Sequence, residues 1–230
     1  MRVGVVVFPG SNCDRDAIAA AALAGTDAFP VWHEATDLGG ADLVIVPGGF
    51  AYGDYLRAGV LARFSPVMGA VRDHAARGGL VLGICNGFQV LAEAHLVPGA
   101  LLRNASLRFE HRWVTISVER SDTPFTRAIT AGRVLRMPIA HGEGNYFLPG
   151  TELDALEARD GVLFRYAAPV GNPNGSARDI AGVIDERGTV AGLMPHPERA
   201  VEAILGSDDG MLLFRSLVES AAADRAGFAA

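Results

Sequence analysis

Leu80-Val81-Leu82-Gly83-Ile84-Cys85-Asn86-Gly87-Phe88-Gln89 decides how this chain folds. An apolar run turns at once into the start of a helix, and Cys85 stands on the turn. Gly83 and Gly87 flank it at −2 and +2, the spacing of a nucleophile elbow. The chain reverses so sharply there that a side chain at either flank would collide with neighbouring elements. The turn lifts Cys85 to the C-terminal edge of a sheet, facing the first free N–H groups of the next helix. That position favours a thiolate, and the Asn86 N–H can donate to an oxyanion forming beside the sulfur. The plainer alternative is a small buried hydrophobe, the commonest fate of a free cysteine. The paired glycines and the strand-to-helix switch favour the nucleophile.

Working outward, Val3–Phe8 is a strand ended by Pro9-Gly10. Asp14 caps a helix through Ala24, with Gly25 as its stop. Phe29–His33 and Asp42–Val46 are strands, the second closed by Pro47-Gly48-Gly49. Ser65–Arg77 and Phe88–His95 are helices on either side of the Leu80–Ile84 strand. Strands alternating with helices make a parallel sheet buried on both faces. After Leu96 the pattern changes. Trp113–Glu119 and parts of Gly161–Ala167 alternate apolar with polar. Ile180–Ile184 and Thr189–Met194 flank a turn at Asp185-Glu186-Arg187-Gly188, an antiparallel hairpin. Pro169–Arg178, rich in Gly, Pro, Asn and Ser, reads as an exposed loop. Met211, Phe214, Leu217 and Val218 share one face of a last helix. The expectation is one α/β domain over residues 1–230: three layers, a mostly parallel sheet flanked by helices, and some antiparallel strands in the second half.

Composition narrows the function. The chain has 230 residues and a formal charge of −6, with no basic cluster to track phosphates, so neither nucleic acid nor an anionic membrane is an expected partner. All 20 basic residues are arginine. Without lysine there is no Schiff base to pyridoxal phosphate and no Walker-A lysine. Two cysteines, Cys13 and Cys85, are too few for a disulfide framework or a thiolate zinc site and suit a reduced cytoplasmic protein. The longest apolar run, Ala17–Ala24, is far short of a membrane span, and the N-terminal apolar stretch stops at Pro9, against a secretory signal.

A cysteine nucleophile needs a base. Of His33, His74, His95, His111, His141 and His196, the last stands apart. It follows the Thr189–Met194 strand inside Pro195-His196-Pro197-Glu198. Two prolines force an extended path, which points residues two apart the same way and sets Glu198 beside the His196 imidazole. Glu198 can then fix the tautomer and stabilise the imidazolium. Alone, His-x-Glu is weak evidence and reads more readily as a solvated turn; it gains weight by following a strand in a chain that already has an elbow. Pro47-Gly48-Gly49-Phe50, also at a strand end, can bring further backbone N–H groups to the site.

Gly83–Gln89 and Pro195–Glu198 together resemble the class I (triad) glutamine amidotransferases. Further stretches narrow the resemblance to that family's purine-biosynthetic glutaminase subunits. They are Pro9–Asp14, Pro47–Gly59, Ala140–Tyr146 and Met194–Arg199. The resemblance runs from Val3 to the last helix. It implies a flavodoxin-like fold, Cys85 as nucleophile, and His196 and Glu198 completing the triad. It further implies Gly49 and Asn86 as oxyanion donors and Gln89 as a contact to bound glutamine. His95 stands where the family usually has glycine, and His111 where relatives often carry cysteine.

The resemblance also implies partners: a large ATP-dependent synthetase subunit and a small third subunit. With no phosphate-cradling loop and no metal-ligand cluster in the sequence, no cofactor is expected on this chain, and ATP and magnesium belong to the synthetase. His141–Tyr146 is placed near the docking face or, equally, in a structural loop. Cys13 is read as structural. The competing readings are another cysteine hydrolase of the same fold and a non-catalytic regulatory subunit. An intact Cys85, His196 and Glu198 argues against the latter.

Overall fold

A computed structural model describes residues 1–227, with side chains through Ala221; the last three residues lie outside the description. The first half alternates as its sequence indicates: β1 (Arg2–Val7), α1 (Asp14–Leu23), β2 (Asp27–Trp32), β3 (Leu43–Val46), α2 (Pro66–Ala76), β4 (Leu80–Ile84) and α3 (Asn86–Glu93). The second half runs β5 (Ala100–Leu102), β6 (Glu110–Val118), β7 (Val134–His141), β8 (Asn145–Phe147), α4 (Gly150–Ala158), β9 (Val162–Tyr166), β10 (Ile180–Ile184), β11 (Val190–Leu193) and α5 (Met211–Gly227).

Nine strands form one sheet in the order β2-β1-β3-β4-β11-β10-β9-β6-β7, while β5 and β8 make a separate antiparallel pair. The first five are parallel and follow the 2-1-3-4-5 order of flavodoxin-like sheets. From β11 onward every pairing is antiparallel. The β10–β11 hairpin forms as read. β3, β4, β10 and β11 are apolar and almost wholly buried, because helices cover both faces. Both edge strands carry a proline, Pro30 in β2 and Pro138 in β7, where no missing ladder donor is felt.

Several local expectations change. Asp14 is the first residue of α1 rather than its cap; Cys13 holds the cap position, and the Asp14 carboxylate sits instead in the first turn, where the helix dipole welcomes it. α3 starts at Asn86, two residues earlier than the periodicity indicates, because Cys85 itself is the turn. In α5 the packed face is Leu213, Phe214 and Leu217, with Met211 and Val218 at its margin. The polar Pro169–Arg178 segment is not simply exposed: Asn174 and Ser176 are buried. His95 follows the Ala94 cap of α3 at φ +57°, the left-handed conformation that glycine adopts at least cost. Among the described residues, no helix is long and apolar enough to cross a membrane.

Candidate active site

The elbow forms as its glycines require. Cys85 adopts φ 49°, ψ −106°, a conformation L residues hold only when their surroundings enforce it. A Cβ on Gly87 would lie 1.8 Å from the Val46 carbonyl oxygen, and one on Gly83 would lie 2.6 Å from Leu91 Cδ1. The Cys85 N–H donates to the Leu193 carbonyl at 2.8 Å, stitching the turn to β11. Its thiol donates to the Ala140 carbonyl at 3.7 Å. Asn86 opens α3, so its N–H has no acceptor within the helix.

His196 and Glu198 are both buried, and His196 Nδ1 donates to Glu198 Oε1 at 2.6 Å. The route to that pairing differs from the extended path inferred from the prolines. His196 is extended, but Pro197–Arg199 form a 3₁₀ turn that brings Glu198 back to the ring. The His196 N–H donates to the Pro138 carbonyl at 2.9 Å, anchoring the base to β7. Burial pulls the imidazole toward neutrality. The Glu198 charge, followed by Cys85, outweighs this and holds His196 well above its ordinary value.

Cys13 joins this group, which its sequence position did not announce. A Cβ on Gly48 would stand 2.8 Å from His196 Cε1, 3.2 Å from Cys13 Sγ and 3.4 Å from Cys85 Cβ, so both thiols and the base converge over bare backbone. Burial raises the Cys13 thiol, and a hydrogen bond with His196 opposes it. Arg199 Nη2 donates to the Cys13 sulfur at 3.2 Å while its Nε donates to Asp16 at 3.0 Å. Donor atoms of Cys13, His196 and Glu198 lie within 4.8 Å of one another, making these three the described set able to meet a metal ion. The guanidinium on the sulfur and the His196–Glu198 bond both work against a cation there.

A cavity of about 260 Å³ opens over Cys85. Gly49 and Gln89 are among the residues that line it. Gly49 sits at φ +137°, where a Cβ would come 2.7 Å from Asn12 N. The Asn86 side chain accepts from the Ala51 N–H at 3.0 Å and donates to Gln89 Oε1 at 2.9 Å and Asp54 Oδ1 at 3.1 Å. Gln89 Nε2 in turn donates to the Glu143 carbonyl. Asp54, Glu143, Arg103 and Arg108 complete the walls; sequence reading gave none of the four a role, although Asp54 and Glu143 fall inside quoted motifs.

The wall opposite the elbow rests on Asn104, also unread. Its Oδ1 accepts from the Gly144 N–H at 3.0 Å and from His141 Nδ1 at 3.1 Å, and its Nδ2 donates to the Arg108 and His141 carbonyls. Burial, and then the His196 charge, push His141 down to about 4, so a neutral ring faces the site. Asn174 and Ser176 donate to the Gly144 carbonyl at 2.8 and 3.1 Å. Ala140–Glu143 thus form a wall of the cavity, backed by buried Gly144 and Tyr146, with Glu143 and Asn145 only partly covered. His111 stands outside this cavity, in a separate groove behind His196.

Residues 1–212 match the family model described as CobB/CobQ-like glutamine amidotransferase domain. Two proteins named phosphoribosylformylglycinamidine synthase subunit PurQ are each 57% identical to the chain. The one from Rubrobacter xylanophilus matches over 96% of this chain and 99% of its own, and the one from Synechococcus elongatus over 97% and 100%. A chain in the structure of PurLQS from Thermotoga maritima superposes with a TM-score of 0.87 at 46% identity, covering 95% of this chain and 98% of that one.

Proposed function

The chain belongs to the CobB/CobQ-like glutamine amidotransferase domain family, and on that premise we infer that it is the glutaminase subunit of phosphoribosylformylglycinamidine synthase. It releases ammonia from glutamine and delivers it to the ATP-dependent synthetase subunit PurL, in a complex with the small subunit PurS, for purine biosynthesis. The carrying observation is identity of 46–57% along nearly the whole chain to PurQ relatives and to a chain of the PurLQS structure.

The site accounts for the chemistry. The Cys85 thiolate attacks the side-chain amide carbon of glutamine, and N–H groups of Gly49 and Asn86 receive the oxyanion. Imidazolium on His196, stabilised by Glu198, protonates the departing nitrogen, leaving a γ-glutamyl thioester on Cys85. His196 then takes a proton from water, which hydrolyses the thioester to glutamate. Gln89 borders the bound substrate. ATP and magnesium belong to the synthetase, this chain needs no cofactor of its own, and the complex works in the cytoplasm.

The test is complementation of chemistry. Cys85→Ala is assembled with the synthetase and small subunits and supplied with either glutamine or ammonium salt. Turnover is lost with glutamine and retained with ammonium. Equal loss with both nitrogen sources would refute a dedicated ammonia-producing role.

A further inference from the structure

Cys13 is placed to cap a helix and does not. It holds the N-cap position of α1, where a serine, threonine, aspartate or asparagine would close the first turn, yet its thiol makes no capping hydrogen bond. The sulfur turns instead into the buried group around His196. There it accepts from Arg199 Nη2 at 3.2 Å and donates to Asn12 Oδ1 at 3.2 Å. Arg199 is held in turn by Asp16, in the first turn of α1. The same sulfur lies against the triad, with donor atoms of Cys13, His196 and Glu198 within 4.8 Å of one another. The chemistry derived above gives Cys13 no step, so a buried thiol stands beside the base without a task.

His196 lacks a restraint on that side. Glu198 holds its Nδ1, but its Nε2, the nitrogen left for proton transfer, is buried with no hydrogen-bond partner. Gly48 cannot steady the ring, because a Cβ there would stand 2.8 Å from His196 Cε1. Cys13 Sγ occupies that flank, 3.2 Å from the same point. Asn12, which receives the thiol, lies against Gly49: a Cβ on Gly49 would come 2.7 Å from Asn12 N and 3.2 Å from its Oδ1, and Ser11 pairs with Gly49 in an antiparallel bridge. One loop therefore touches both the base and the backbone that receives the oxyanion. We propose that Cys13, anchored by Arg199 and Asp16, is a positioning residue that fixes the His196 ring against the Pro9–Asp14 loop and so keeps the base in register with Gly49 and Cys85. This rests on the glutaminase reading and adds the side chain that aims the base. Burial raises the Cys13 thiol, so a neutral sulfur rather than a second thiolate faces the imidazolium.

The test uses the complex reconstituted with the synthetase and small subunits. In Cys13→Ala, kcat for glutamate release from glutamine falls about tenfold to a hundredfold while KM stays within about twofold, because the ring acts only in the chemical steps. Turnover driven by ammonium salt stays within about twofold of the wild type, since the defect is confined to the base. Cys13→Ser separates positioning from packing. Its hydroxyl is preferred at an N-cap, so the melting temperature holds or rises while kcat still falls, the shorter side chain being drawn to the helix. Asp16→Asn weakens the grip on Arg199 from a partly exposed side chain and gives a smaller loss of kcat, about twofold to fivefold, with KM again kept. If Cys13→Ala does not assemble, Asp16→Asn decides: reduced kcat at an unchanged melting temperature supports the assignment, and unchanged kcat overturns it. Unchanged kcat in both Cys13 variants, a rise in KM with kcat kept, or activity that follows the melting temperature across all three variants would also overturn it. If the wild-type complex released no glutamate from glutamine, the glutaminase reading itself would fail, a distinct result.

Discussion

The parallel and antiparallel halves of the sheet divide the labour. Cys13, Gly48, Cys85 and His196 follow the C-terminal ends of β1, β3, β4 and β11, which are parallel and therefore bring their ends to one edge. This half supplies the reacting groups. The antiparallel half and its loops supply the facing wall, from Ala140 to Glu143 and from Arg103 to Phe109. The first is held by sterics, by glycines with no room for a methyl group. The second is held by buried hydrogen bonds converging on Asn104 and Gly144. The comparison teaches that reactivity here depends on excluded volume and selectivity on polar connectivity.

The comparison breaks most visibly at Gly87. Gly87→Ala would press a methyl group into the Val46 carbonyl, and we expect destabilisation above about 4 kcal/mol with loss of glutaminase activity. Gly150→Ala, in the antiparallel half with nothing within 4 Å of its Cβ, serves as control. Thermal melts of the two variants should diverge; similar melts would refute the steric account of the elbow. Next comes Glu198→Gln, which keeps the shape but removes the charge that holds His196 high. Loss of about 10²–10⁴ in kcat with little change in KM is expected, read by steady-state glutamate release.

A smaller effect concerns a carboxylate that the parallel half contributes to the cavity, Asp54, which follows β3. Burial and then the Glu143 charge lift the Asp54 carboxyl to about 6, with the Asn86 hydrogen bond opposing them, so Asp54 is ionised above that pH. The cavity loses that charge below it. KM for glutamine, read by glutamate release, should rise between pH 7 and pH 5 in the wild type and change less in Asp54→Asn. Last, Asn104→Ala leaves several buried groups unpaired. A cost of about 1–3 kcal/mol in stability is expected, with KM rising several-fold and kcat nearly kept. A kcat loss as large as that of Glu198→Gln would erase the distinction between the halves.

The same division explains what was legible in the sequence. The elbow and Pro195–Glu198 are local, so spacing of glycines and prolines revealed them, even though the turn after His196 is 3₁₀ rather than extended. β7 went unread because Pro138 argues against a strand. It stands there because β7 is an edge, and its carbonyl holds His196. The hydrogen bonds of Asn104, Asn174 and Ser176 join residues some 30 to 40 positions apart, which no periodicity encodes. α4 follows Pro149 with only Leu153 and Leu156 buried, too faint a stripe to register. Cys13 meets His196 only because β1 and β11 end at the same edge.

Pro30 and Pro138 carry one more consequence. A sheet with open rims is a template on which identical molecules can stack, strand upon strand, into fibres. Each rim of this sheet lacks an amide proton at one position, and at Pro138 the outward carbonyl is already committed to His196. The residue that steadies the base thus also blunts the rim against self-association.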